Sequence, residues 1–232
     1  PPAAAQFQSV RVYPGTTKVI DRGLGIPVGT TSALVEATRG EYEAFQVAVL
    51  AGTEGLADVS ATMSDLAGPG GATLPASSVE LFYERYVRID GPSACDFPLN
   101  TMCESYPEYV RTPGDYPEQL VPFVDPWSDG HPAVGAPFAV AAGGFATVFA
   151  DIFVPRDAAA GDWTGALTVT VAGVPVATVP VTLHVWAFEV PAERSVATAF
   201  RFSFDAIKEY HGGPSGPDAA AYERLRRNYE HE

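Results

Sequence analysis

The stretch Phe145-Ala-Thr-Val-Phe-Ala-Asp-Ile-Phe-Val154-Pro155, followed by Gly161-Asp-Trp-Thr-Gly165 and by the long run Val174-Pro-Val-Ala-Thr-Val-Pro-Val-Thr-Leu-His-Val-Trp-Ala-Phe188, decides the fold class. Phe145, Thr147, Phe149, Asp151 and Phe153 alternate against Ala146, Val148, Ala150, Ile152 and Val154, the period of two that defines a strand. Pro155 lacks a backbone N–H for a ladder, so pairing is expected to stop there. The glycine-flanked Gly161–Gly165 segment reads as punctuation before a strand over 166–171. Ala172-Gly173 then turns the chain back into 174–188, the pattern of a hairpin. Apolar residues at nearly every position near 179–185 predict a sheet buried on at least one face and partly on both.

Outward from that stretch the pattern repeats. Short strands are expected over 8–13 and 17–21, split by Pro14-Gly15, a pair suited to a tight turn because proline fixes φ and glycine accepts φ > 0. Residues 31–38, 41–50 and 58–65 follow as strands, with Arg39-Gly40 as a turn and Gly68-Pro-Gly-Gly71 as a loop. Residues 78–89 alternate strongly, Val79, Leu81, Tyr83, Arg85 and Val87 opposing Glu80, Phe82, Glu84, Tyr86 and Arg88. The whole is an all-β chain: an antiparallel β-sandwich of immunoglobulin or jelly-roll type, with a long aromatic-rich loop and a C-terminal strand plus helix.

Size and charge narrow the function classes. A chain of 232 residues can bury a sizeable core. Its 14 basic against 28 acidic side chains leave a net charge of −14, which repels phosphate backbones and anionic lipid. Nucleic acid and membrane surfaces are therefore not expected as partners, and no apolar run has a bilayer-spanning length. The Pro/Ala-rich residues 1–7 read as a tether of the kind left after a leader is removed.

Cys95 and Cys103 lie close together in a proline-rich segment. A disulfide is favoured over two free thiols or a metal site, since further thiol or imidazole ligands are not nearby in sequence. A disulfide would place the protein in an oxidising compartment, secreted or periplasmic.

Between Asp90 and Pro132 the alternation collapses into about 40 residues rich in proline, tyrosine and aspartate, and long irregular segments are commonly functional or held by a partner. Tyr106, Tyr109, Asp115, Tyr116, Trp127 and His131 are the candidates here. Aromatic rings beside carboxylates suit a sugar, whose CH groups meet a ring face while its hydroxyls meet acids. The same residues equally suit a small loop core or a domain contact, the reading favoured, and Asp125 with Asp129 leaves a calcium site as the weaker option. No metal site or cofactor is expected. Glu43, among apolar neighbours, reads as a structural acid tied to Arg85 or Arg88 rather than a catalytic one. His184, in the most apolar strand, reads as a satisfied core histidine.

The tail changes period. Residues 196–204 form one further strand candidate, and Ser215-Gly-Pro-Asp218 resembles a capping box before a helix over 219–232. Tyr222, Leu225 and Tyr229 fall on one stripe of that helix and await cover, as in the first βα unit of a following domain.

Five segments in order carry a family resemblance: Arg39-Gly-Glu-Tyr-Glu-Ala-Phe-Gln46, Glu84-Arg-Tyr-Val87, Pro113-Gly-Asp-Tyr-Pro-Glu-Gln-Leu-Val-Pro122, Gly161-Asp-Trp-Thr-Gly165 and His184-Val-Trp-Ala-Phe-Glu-Val-Pro191. Together they resemble the N-terminal β-sandwich of bacterial glycoside hydrolase family 123. The resemblance spans residues 10–191 and implies a sandwich domain over 8–191, with 192–232 as the start of a (β/α)8 barrel. In that family the barrel carries an adjacent Asp-Glu pair that assists retaining cleavage of β-linked N-acetylgalactosamine by the substrate's own acetamido group. No Asp-Glu or Glu-Asp neighbour pair occurs in this sequence, so no catalytic residue carries over. The resemblance therefore implies a non-catalytic module that buttresses a barrel and lends its long loop to a sugar cleft. A stand-alone carbohydrate-binding module using Tyr116 and Trp127, or an adhesion-type sandwich binding protein through strand edges, are the alternatives.

Overall fold

The computed structural model describes residues 6–21, 25–90, 113–124 and 135–193, together with Asp205, Lys208, Glu209, Ala219, Ala220, Tyr222 and Glu223. Its strands are β1 (Phe7–Pro14), β2 (Ala33–Arg39), β3 (Tyr42–Ala51), β4 (Leu56–Met63), β5 (Leu66–Ala67), β6 (Thr73–Leu74), β7 (Val79–Ile89), β8 (Gly114–Pro122), β9 (Phe138–Val140), β10 (Phe145–Phe153), β11 (Gly161–Val171) and β12 (Val174–Glu189). They form a β-sandwich of two sheets. Sheet A runs β1-β3-β10-β7-β8, and sheet B runs β2-β12-β11-β4-β9 with β5 and β6 attached beside β11.

Alternation explains the layers. Phe45, Val47 and Val49 of β3 and Ala146, Val148, Ala150 and Ile152 of β10 turn inward from sheet A. Leu167, Val169 and Val171 of β11 and Val179, Val181, Leu183 and Val185 of β12 meet them from sheet B. The side chains are β-branched and aliphatic, the kind that packs well on a pleated surface. The β11–β12 hairpin closes at Ala172-Gly173, both with positive φ (49° and 75°), the turn whose twist matches that of the strands it joins.

The ladder is antiparallel except at one edge, where β2 lies parallel to β12. Parallel neighbours need a long crossover, and here nearly the whole domain separates them.

Four local expectations are corrected. Residues 17–21 are not a strand; Val19 and Ile26 instead cap the outer face of sheet A, forming a second small core with Tyr13 and Ala48. The carbonyls of this strap are met by side chains rather than a ladder: Gln46 Nε2 donates to Thr17 O at 2.8 Å, Tyr86 Oη to Val19 O at 2.7 Å and Arg11 Nη1 to Ile26 O at 2.9 Å. Glycine is required where the strap enters, because a Cβ on Gly15 would lie 2.8 Å from the Ala44 carbonyl oxygen.

Secondly, Gly161–Gly165 is no turn but the opening of β11, in register from Gly161 opposite Val185. Trp163 faces the core, and burying that ring outweighs the two glycines as breakers. Thirdly, part of the expected irregular segment is β8, paired with β7 from Ile89–Gly114 to Phe82–Pro122. Its prolines are tolerated because β8 is the sheet edge, and the register shifts where Arg85 faces Gln119 and Tyr86 faces Pro117. Fourthly, Asp205, Lys208 and Glu209 are helical, between the strand expected over 196–204 and the helix expected over 219–232, where the sequence suggested no element. The strand expected over 196–204 lies outside the described residues.

The chain divides into two compact units, one of Pro1–Val124 with Ala133–Val190, the other of Asp125–Pro132 with Pro191–Glu232. In the second, Ala219, Ala220, Tyr222 and Glu223 are helical, and Tyr222 is buried. Leu225 and Tyr229, the rest of the expected stripe, lie outside the described residues. Among the described residues no helix is long and apolar enough to cross a membrane.

Candidate functional site

Of the candidates in the aromatic-rich segment, Asp115 and Tyr116 are described. Both sit on β8, Tyr116 half-buried opposite Val87 and Asp115 exposed opposite Arg88. Asp115 Oδ2 lies 3.6 Å from Arg88 Nη1, and Arg88 Nε donates to Asp90 Oδ1 at 3.1 Å. Tyr106, Tyr109, Trp127, His131, Cys95, Cys103, Asp125 and Asp129 lie outside the described residues. Glu43 is exposed and, among the described residues, in no ion pair; Arg88 pairs with Asp90 and Asp115 instead.

Glu84 occupies the outer face of sheet A, opposite Thr147 of β10 and Leu120 of β8. It is 8% exposed, and its Oε2 has no hydrogen-bond partner among the described residues. Burial pushes its carboxyl up to about 7, against the opposing pull of the Lys18 cation. Lys18 itself donates to Pro117 O at 3.1 Å. Beside it, burial also raises the Tyr86 phenol, whose oxygen lies 3.1 Å from Thr147 Oγ1. A buried acid titrating near neutrality is a known mark of function, and an equally common product of burial alone.

The outer face of sheet B is more open. Because Leu183 and Val185 point inward, Thr182, His184 and Trp186 point outward. The register places Glu36 of β2, His184 of β12 and Asp162 of β11 in one row across three strands. Leu34, Thr182 and Thr164 form the next row. His184 Nδ1 donates to Asp162 Oδ1 at 2.6 Å, with 34% of the histidine side chain exposed. The imidazole stands edge-on to Trp186, ring centres 4.6 Å apart, and Trp186 is 44% exposed. The expected core histidine is thus satisfied on the surface, by a carboxylate. This row was legible from the alternation of Pro180, Thr182 and His184 with Val181, Leu183 and Val185. Reading β11 as starting five residues late hid Asp162.

Just beyond, β12 loses its regular register between Val185 and Glu189. Side chains hold it there: Arg39 Nη2 donates to Ala187 O at 3.0 Å and Arg156 Nη1 to Val190 O at 2.7 Å. Phe188 is 60% exposed at this end.

No family model and no curated protein matches the sequence. Among solved structures, the chain is similar over 79% of its length to a family 123 glycoside hydrolase from Clostridium perfringens, described for glycolipid glycan hydrolysis, with a TM-score of 0.55 at 11% identity. It spans 28% of that enzyme's chain. AvmM, which catalyses macrocyclization in alchivemycin A biosynthesis, matches with a TM-score of 0.37 at 12% identity, over 81% of this chain and 93% of its own. The N-terminal domain of PorA matches with a TM-score of 0.27 at 10% identity, over 76% of this chain and 97% of its own. The first likeness establishes a shared fold, and the other two carry no argument.

Proposed function

We propose that this chain is a non-catalytic β-sandwich module of a glycoside-hydrolase-type protein, serving to buttress a catalytic domain. The observation that carries the reading is the proportion of the fold likeness: most of this chain corresponds to about a quarter of a family 123 enzyme. That is the relation of an accessory domain to a larger whole. The end of β12 fits the role, since Arg39 and Arg156 fix its backbone while Phe188 and Val190 remain exposed to pack against protein. On this reading the parent protein is secreted or periplasmic, carries a Cys95–Cys103 disulfide, and places its acid pair on a (β/α)8 barrel.

Two measurements test it. Incubated with aryl β-N-acetylhexosaminides, the chain is expected to give no turnover above buffer, and enzyme-like rates would overturn the non-catalytic role. The natural reading frame is expected to encode a barrel with adjacent acids after Glu232. An in-frame stop there would remove the partner that the proposal requires.

A further inference from the structure

We propose that the outer face of sheet B, centred on Trp186, His184, Asp162 and Glu36, is a binding platform for a neutral oligosaccharide. The site is formed by side chains of β2, β11 and β12.

The rows at Thr182 and His184 span three strands about 4.8 Å apart, roughly 10 Å in all, and Trp186 stands about 6.6 Å beyond His184 along β12, past the end of the regular pairing. The site's chemistry is ordered along one direction. Trp186, 44% exposed, offers an indole to the CH face of a sugar ring. The next row supplies carboxylates at Asp162 and Glu36, which accept from sugar hydroxyls, on either side of an imidazole. The row after that adds the hydroxyls of Thr164 and Thr182, which donate and accept.

The platform is also pre-organised. The 2.6 Å bond from His184 to Asp162 fixes the imidazole, and the imidazole in turn stands against Trp186. Groups already held in place lose less freedom when a ligand docks, which matters for a weakly binding, heavily hydrated sugar. The core does not need these outward side chains, because Leu183, Val185 and Trp163 fill it from the opposite face of the same strands.

Other occupants fit less well. Two carboxylates on a protein of net charge −14 repel phosphate, sulfate and acidic sugars. Among the described residues no three metal-ligating side chains, Glu36, His184 and Asp162 included, are arranged so that they could hold a metal ion. Among them, too, His184 bonds to neither threonine hydroxyl, so the Asp-His pair has no nucleophile to activate. Neutral sugar hydroxyls remain the chemistry that matches.

The test is a glycan array of neutral, sialylated and sulfated oligosaccharides, followed by calorimetry of the whole chain with the neutral hits. Binding to at least one neutral oligosaccharide is expected, weakened about tenfold or more by Trp186→Ala, to a lesser degree by Glu36→Gln, and unaffected by Trp127→Ala. Near-UV circular dichroism confirms that each variant is folded, and Glu36→Gln, on an exposed surface position, keeps the test decisive if Trp186→Ala is not. No neutral hit, a preference for acidic glycans, affinity retained in both folded platform variants, or loss on Trp127→Ala alone would each overturn the platform. Hydrolysis by the chain would sink the non-catalytic reading and leave this one standing, so the two fail separately.

Discussion

Gln46, on the interior strand β3 of sheet A, reaches Thr17 of the strap through a 2.8 Å hydrogen bond from its side-chain nitrogen, and the same nitrogen lies 3.1 Å from Pro14 O and 2.9 Å from Gly15 O. Three carbonyls converge on one amide, which fixes its orientation, since the amide oxygen could satisfy none of them. Pro14 O keeps the Thr17 amide as a donor at 3.0 Å, but replacing Gln46 with alanine takes the side-chain donor from the part-buried Gly15 and Thr17 carbonyls and should cost about 1–3 kcal/mol. Gln46→Glu should be worse still at pH 8 and recover in part at pH 4, where a protonated acid can again donate. Urea unfolding at the two pH values measures both, and an alanine variant as stable as the parent would show that the strap is held by other means.

Glu84 gives stability a pH dependence whose sign is fixed by the direction of its shift. Its folded value, about 7, lies above the ordinary 4.5, so the folded state holds the proton more tightly than the unfolded chain does. The associated stability is complete below pH 4.5 and is lost as pH rises through 7, a total of about 3 kcal/mol at 1.36 kcal/mol per unit. Glu84→Gln removes this dependence. The variant should match or trail the parent near pH 4.5 and exceed it at pH 8.5, and parallel stability curves across that range would refute the buried-acid account.

How much of this was legible beforehand follows from where each residue lies. The long central strands were readable because β10 and β12 bury one face and alternate cleanly, with Pro155 and Ala172-Gly173 marking their ends. β8 was not, because Pro117 and Pro122 read as breakers unless the strand is known to be an edge, and edges are a property of the whole sheet. The strap escaped for the same reason. Val19 is apolar in a short segment that looks like a strand, and its carbonyl partner, Tyr86, lies 67 positions away. Glu84 and Glu80 share one alternating face in sequence, yet the strap adds burial near Glu84, and sequence periodicity does not reveal what covers a sheet.

Trp163 and Gly68 are predicted to be energetically coupled. A Cβ on Gly68 would fall 2.3 Å from Cε3 of the Trp163 ring, a separation that forces one of them to move. Trp163 is buried and its Nε1 donates to Ala159 O at 3.0 Å. Gly68→Ala should therefore destabilise by about 1–3 kcal/mol through overpacking, and Trp163→Ala by about 3–5 kcal/mol through the cavity left behind. In the double variant the new methyl enters the space vacated by the indole, so the combined loss should fall short of the sum by at least about 1 kcal/mol. Additive losses would mean that the two residues do not share the space.

The end of β12 offers a last prediction, because its order there rests on two arginines rather than on the ladder. Between Val185 and Glu189 the pairing with β2 slips, and the Val190 amide donates to Arg39 O at 2.9 Å while Arg156 Nη1 donates to Val190 O at 2.7 Å. These bonds are exposed, so Arg156→Ala should cost only about 1 kcal/mol globally, a melting shift of about 2–4 °C for a chain of this size. Locally the effect should be larger. Amide exchange should quicken over residues 187–190 and stay unchanged over 179–185, where the ladder to β11 and the core side chains hold the strand independently. Arg39→Ala should likewise loosen Ala187, whose carbonyl then loses the Arg39 Nη2 donor. Exchange that rises uniformly along β12 in either variant would mean that the arginines support the whole strand, and that the chain's exit from the sandwich is not separately clamped.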